Sequence, residues 1–162
     1  MQPQDRPPFE FALTLPWSRP PLTLNDRPTP YARAKLTADI RHDAAYCAIG
    51  AGLRGSMLRG VEIELIWYTG KRNIADPDNV SATLKAAIDG LRDARTLAAD
   101  DGRTVVRTLQ RVIPRDLDPF DSPHGRVLLV VREAASLLLP HYSPADAGQL
   151  ISPVLGTPSE VG

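Results

Sequence analysis

The sequence predicts an α/β (α+β) fold, a small mixed β-sheet with two main helices packed on it. Two observations carry that expectation. Segments with strand alternation and segments with helical periodicity follow one another in the order strand, helix, strand, helix, strand, strand. The chain, 162 residues of which 43% are hydrophobic, is also long enough to bury one core.

The first strand is "FEFALTLPW", where apolar residues alternate with others, closed by the turn-rich "SRPPLTLNDRP". In "RAKLTADIRHDAAYCAIGAG" the residues Leu36, Ile40, Ala44 and Cys47 fall on one helical stripe, and Gly50 and Gly52 mark its end. Cys47 on that stripe reads as a small core residue rather than a nucleophile, and His42, off the stripe and beside Asp43, as a solvated histidine. "VEIELIWYT" is a second strand with Val61, Ile63, Leu65 and Trp67 on one face, running into the loop "GKRNIA". Asp76 then supplies an N-cap and Pro77 fits the first turn of a helix continuing to about Arg92, with the apolar stripe Val80, Leu84, Ala87, Ile88 and Leu91. "RTVVRTLQRVI" and "GRVLLVVRE" are the last two strands, separated by a loop rich in Pro and Asp. Residues 1–135 form the expected domain. Residues 136–162 read as a Pro-rich, flexible tail without periodicity.

Charge and composition narrow the function. The formal net charge is zero, and because residues 136–162 hold two acids and no Lys or Arg, the preceding part carries 19 basic and 17 acidic groups. An excess of two does not by itself argue for nucleic acid. A single Cys excludes an intramolecular disulfide, the opening "MQPQDRPPFE" lacks an apolar signal core, and no apolar run approaches the roughly 18 residues of a membrane span. The expectation is a cytoplasmic chain with no membrane partner.

Six of the nineteen acids fall within residues 75–101, "ADPDNVSATLKAAIDGLRDARTLAADD". Clustered like charge costs folding energy unless something binds it. At 100° per residue Asp78, Ala82, Lys85 and Asp89 share the helix face opposite the apolar stripe. Each piece has an ordinary structural use: Asp-Pro-Asp as a helix start, Asp78, Lys85 and Asp89 as a solvated ion-pairing face, and "ADDGR" as a turn. Together they place carboxylates, a basic loop and a lysine near one another, a set suited to Mg²⁺ and a phosphodiester. A calcium loop of the EF-hand kind fails, because counting from Asp76 puts Val80, Ser81 and Ala87 where an oxygen ligand, Gly and Glu are needed. The sequence also lacks a Gly-rich phosphate loop and a Cys-x-x-Cys pair.

"LTLPWSRPPLTLNDR", "ADPDNVSATLKAAIDGL" and "AADDGRTVVRTLQRV", in that order and spanning roughly residues 9–133, resemble the RusA family of Holliday junction resolvases. The opening block is weakly specific; the series Asp-x-Asp-Asn, Lys, Asp, Asp-Asp is more so. The resemblance implies a RusA-like fold and a homodimeric endonuclease that nicks four-way DNA junctions symmetrically with Mg²⁺, or Mn²⁺ in its place. It implies metal-binding carboxylates at Asp76, Asp78 and Asp101 with Asp100 as a lesser candidate, a catalytic lysine at Lys85 and a supporting Asp89. About three more residues separate Asp78 from Lys85 than in the usual motif, which moves the lysine about 4.5 Å along the helix axis.

DNA contacts would fall to Lys71 and Arg72 ahead of the acidic motif and to Arg103, Arg107 and Arg111 at alternate positions of one strand face. The same arginines also suit a solvated strand edge. Two other classes stay open: a junction-binding protein without catalysis, and a metal-dependent nuclease acting on another branched DNA.

Overall fold

The computed structural model describes residues 8–72 and 76–134, so the expected tail at 136–162 lies outside the described residues. Four strands, β1 (Glu10–Leu15), β2 (Val61–Tyr68), β3 (Val105–Ile113) and β4 (Arg126–Glu133), form one sheet in the order β1-β4-β2-β3. β4 lies antiparallel between β1 and β2, whereas β2 and β3 run parallel. Helix α1 (Pro30–Gly50) connects β1 to β2, and α2 (Ser81–Asp93) crosses from β2 to β3. The expected mixed sheet with two helices is therefore present. Among the described residues no helix is long and apolar enough to cross a membrane.

Strand alternation decides which face the helices cover. Leu13, Leu15, Val61, Ile63, Leu65, Val127, Leu129 and Val131 share one buried cluster with Ile40, Ala44 and Ala48 of α1 and Leu84, Ala87 and Leu91 of α2. Both helices thus pack on the same side of the sheet. Each fully buried Leu, Ile or Val there contributes roughly 1.5–3 kcal/mol relative to exposure. Cys47 packs at the edge of this cluster, its Sγ 3.7 Å from the Thr14 carbonyl, and burial pushes its thiol pKa up, which suits packing rather than nucleophilic chemistry. α1 begins three residues before the expected start because Thr29 caps it, its hydroxyl accepting from Ala32 N–H at 3.2 Å, and Pro30 follows.

The other sheet face is half apolar and half charged. Ile66, Tyr68, Leu128 and Val130 form a second cluster with Ile113. Beside it Glu62 and Glu64 are 6% and 4% exposed. Arg107 on β3 meets the Glu62 carboxylate at 2.8 Å, Arg111 donates to Glu64 at 2.7 Å, and Arg132 on β4 pairs with the other Glu64 oxygen. A register shift between Val61 and Glu62 sets Val61 against Val105 but Glu62 against Arg107, leaving Val106 as the extra residue of a bulge.

The helices cross closely at Gly90. A Cβ there would run into the Arg41 carbonyl oxygen and lie 3.0 Å from the Ala44 Cβ. Replacing Gly by Ala inside a helix normally stabilises by about 1 kcal/mol. Here overpacking, which costs roughly 1–3 kcal/mol, outweighs that gain. Gly90→Ala is expected to lower the urea midpoint by the equivalent of about 1–2 kcal/mol; a midpoint at or above that of the parent would show that α1 shifts freely.

Candidate functional site

The acidic stretch enters α2 through a tight turn. Asp76 caps it as the sequence predicts, its Oδ1 accepting from Asp78 N–H at 3.0 Å. Pro77–Val80 nevertheless forms a 3₁₀ turn before the α-helix proper. The Asn79 carbonyl is engaged from outside by Leu24 N–H at 2.9 Å, and the Asn79 N–H reaches back to the Asp76 carbonyl at 3.1 Å. One turn on, the buried Thr83 hydroxyl donates to the Leu22 carbonyl at 2.6 Å and accepts from Leu22 N–H at 3.1 Å. The Pro-rich stretch after β1 is thereby fastened to the start of α2.

Between α2 and β3 lies a cleft of about 360 Å³. α2 contributes Ser81, Lys85 and Asp89, the turn before β3 contributes Asp100, Asp101 and Gly102, and β3 adds Thr108 and Gln110. Leu84, Ile88 and Val105 make its apolar wall. The fold therefore brings together four of the residues singled out in the sequence: Lys85, Asp89, Asp100 and Asp101. Asp76 and Asp78 are exposed and do not line this cleft.

The two adjacent aspartates differ in their bonding. Asp100 is held by Arg92, whose Nη1 donates to it at 2.7 Å. Asp101 accepts from Thr104 N–H at 2.9 Å and from Arg103 N–H at 3.1 Å, both on Oδ1, and closes the turn into β3. Those bonds, the Thr104 N–H first, hold its carboxyl below the usual carboxylate range. Asp101 is thus ionised over the working pH range and fixed in direction, while its side chain stays open to solvent.

Carboxylate oxygens of this kind suit a hard cation. Among the described residues no group of three or more His, Cys, Asp or Glu side chains is gathered so as to hold a metal ion unaided. Mg²⁺ asks for less, being commonly held by one or two carboxylates with waters and substrate phosphates completing its shell. The donor chemistry at Asp100 and Asp101 fits that lesser requirement.

The basic residues fall into two groups. Lys71 and Arg72 are exposed just after β2. Arg107 and Arg111 project from β3 onto the sheet face, where Glu62 and Glu64 occupy them. Arg103 precedes β3, and the bulge at Val106 interrupts the alternation, so the three arginines do not share the single strand face that their spacing implies. Arg92, Ser81, Thr108 and Gln110 were not among the residues expected at the site. Arg92 was legible in principle, since a basic residue in the last turn of a helix is favoured by the macrodipole and faces the chain that follows.

No protein-family model matches the chain, and no curated protein matches it. The turn at Asp101 makes its own prediction. Because folding lowers the Asp101 pKa, the turn's contribution to stability is complete above the ordinary carboxylate value of about 3.9 and fades as pH falls through the lower folded value. Amide exchange at Thr104, measured against pH, should lose protection only below that ordinary value, and Asp101→Asn should remove the step. An unchanged profile in the variant would show that another group titrates there.

Proposed function

We propose that this chain is a Mg²⁺-dependent endonuclease of the RusA kind that acts on four-way DNA junctions, as a cytoplasmic homodimer with Mn²⁺ able to replace Mg²⁺. The observation that carries this reading is the cleft in which Lys85, Asp89, Asp100 and Asp101 meet. These are residues of the motif whose order resembles that family, and their chemistry is the one that phosphodiester hydrolysis needs.

The chain's own groups divide the work. The exposed Lys85 ammonium faces the space a phosphate would occupy and offsets negative charge building on the phosphate oxygens or the leaving oxygen. Asp89, one turn further along α2, lines the same cleft and adds a supporting carboxylate beside that lysine. Asp101, held ionised by the turn, and Asp100 would hold the divalent ion, with Asp76 and Asp78 as the further ligands that the resemblance assigns. The ion, when bound, supplies Lewis-acid stabilisation of the phosphate's charge. Ser81, Thr108 and Gln110 add neutral hydrogen-bonding groups that position a phosphate without neutralising it. A two-fold symmetric junction needs two such sites, which a homodimer provides.

The test is a labelled four-way junction and a matched linear duplex, each incubated with Mg²⁺ or EDTA. The junction alone should acquire paired nicks that EDTA abolishes. Lys85→Ala and Asp101→Asn should each slow cutting by about 10²–10³-fold, while binding to the junction in EDTA persists. Asp76→Asn and Asp78→Asn should behave like Asp101→Asn if all three carboxylates serve one ion. Wild-type rates in Lys85→Ala and Asp101→Asn would place the chemistry elsewhere. A junction bound but never cut would favour a binding protein, and nicking of flaps in preference to junctions would favour a nuclease for another branched DNA.

A further inference from the structure

A second concavity, of about 290 Å³, is lined by Ser18, Arg19, Trp67, Thr69, Lys71 and His124. It shares no residue with the cleft between α2 and β3. Three of its six side chains are basic or can become so, and none is acidic. In a chain of zero net charge that is a local concentration of positive potential. The nearest ion pair is loose, with Arg19 Nη2 3.9 Å from an Asp26 oxygen and the Arg19 side chain 64% exposed. The Asp26 carboxylate is engaged elsewhere, by Thr23 N–H at 2.8 Å and the Thr23 hydroxyl at 2.9 Å.

The concavity is built rather than incidental, because the three segments that carry its lining are packed backbone on backbone beside it. Gly70 and Gly125 both adopt positive φ, and a Cβ on Gly70 would lie 2.7 Å from Gly125 N and from the Pro123 carbonyl oxygen. A Cβ on Gly125 would strike the Ser18 carbonyl oxygen and lie 3.0 Å from that of Tyr68. The segment after β1, the end of β2 and the loop before β4 therefore touch main chain to main chain at one point. Further bonds fix the Trp67 and Thr69 side chains and the Lys71 backbone there. The Trp67 indole donates to the Ser18 carbonyl at 3.2 Å, the Thr69 hydroxyl donates to the Lys71 carbonyl at 2.8 Å and accepts from Lys71 N–H at 3.1 Å, and Arg115 N–H donates to the Lys71 carbonyl at 2.9 Å. Arg19, Lys71 and His124 come from the three segments so joined.

We propose that this concavity holds a phosphodiester of an unpaired DNA strand, a contact separate from the site of cutting. The inference rests on the DNA reading given under Proposed function. Two cationic side chains, the Ser18 hydroxyl and an imidazole suit one phosphate group, with Arg19 offering a planar fork and Lys71 a point charge, while the Thr69 hydroxyl is spent on the Lys71 backbone. The Trp67 indole, partly buried against the main cluster, and the His124 imidazole also line the concavity, so a neighbouring base would stack against ring surface beside the phosphate, the combination by which proteins grip single strands. The strand so held is one leaving the branch point, where bases are free to unstack, rather than the paired arm.

The experiment measures binding of the full-length protein to a fluorescent ten-nucleotide strand in EDTA, so that cutting plays no part. Arg19→Ala with Lys71→Ala should weaken binding at least ten-fold near 0.1 M salt. It should also lower the slope of log affinity against log salt by roughly 0.7, the value for the one phosphate interaction lost. The charge-conserving pair Arg19→Lys and Lys71→Arg should restore most of both, and an unchanged urea midpoint excludes misfolding. Strand binding with parental affinity and salt slope in the double Ala variant overturns the proposal, as does a wild-type protein that binds no strand. Inorganic phosphate or a mononucleotide binding as tightly as the strand would overturn the strand assignment in favour of a free anion site. The nuclease reading is judged separately: a protein that grips the strand here yet leaves junctions intact refutes the cutting activity and not this site, and one that cuts junctions while the double variant binds normally does the reverse.

Discussion

Two glutamates buried in β2 constrain the rest of this structure. Glu62 and Glu64 lie on the sheet face away from the helices and are almost wholly removed from water. Isolated there, each charge would cost several kcal/mol, so the neighbouring strands must bring cations to them. β3 supplies Arg107 and Arg111 and β4 supplies Arg132. A slip of one residue on either side would turn these arginines into the apolar core and leave the glutamates unpaired. The bulge at Val106 follows from the same demand, since it allows Val105 to keep its place on the helix side while Arg107 reaches Glu62 on the other.

That electrostatic lock has consequences at the surface. With β3 fixed in register, the turn at Asp101 and the positions of Thr108 and Gln110 are fixed too, and the wall of the cleft is set opposite Lys85 and Asp89. The lock also uses up Arg107, Arg111 and Arg132. Lys71, Arg72 and Arg19 are among the exposed cations outside that lock, near the end of β2 and in the opening loop. α2 joins the two regions, tied at its start to the Pro-rich loop through Thr83 and Leu22 and wedged at its end against α1 through Gly90.

The order of the elements and their buried faces were readable from periodicity, because those patterns follow from a local geometry. The β2 stripe Val61, Ile63, Leu65 and Trp67 and the α2 stripe through Val80, Leu84, Ala87 and Leu91 both face the main cluster as expected. The Asp76 cap was readable for the same reason. What escaped was set by partners distant in sequence. Glu62 and Glu64 look like solvent-facing residues of a half-buried strand until β3 and β4 are placed beside them. The 3₁₀ turn at Pro77–Val80 depends on Leu24, more than fifty residues earlier in the chain. The cleft gathers Lys85, Asp89, Asp100 and Asp101, all named from the motif, but its neutral lining from β3 carried no motif signal.

The strand order also dictates when the chain can finish folding. β1 has a single partner, β4, with Glu10 opposite Arg132 at one end and Leu15 opposite Val127 at the other. β2 and β3, linked through α2, can associate from nearby sequence, but the first strand has nothing to pair with until the last has left the ribosome. At about 5–20 residues per second of synthesis, β1 waits roughly 6–22 seconds for β4 with its hydrogen-bonding groups unpaired. Closing it is the most non-local strand pairing among the described residues, of the kind that slows folding and exposes a strand to association with other chains. The short β1, with Glu10 at its start and Pro16 directly after Leu15, limits that exposure by giving a foreign strand little length to join.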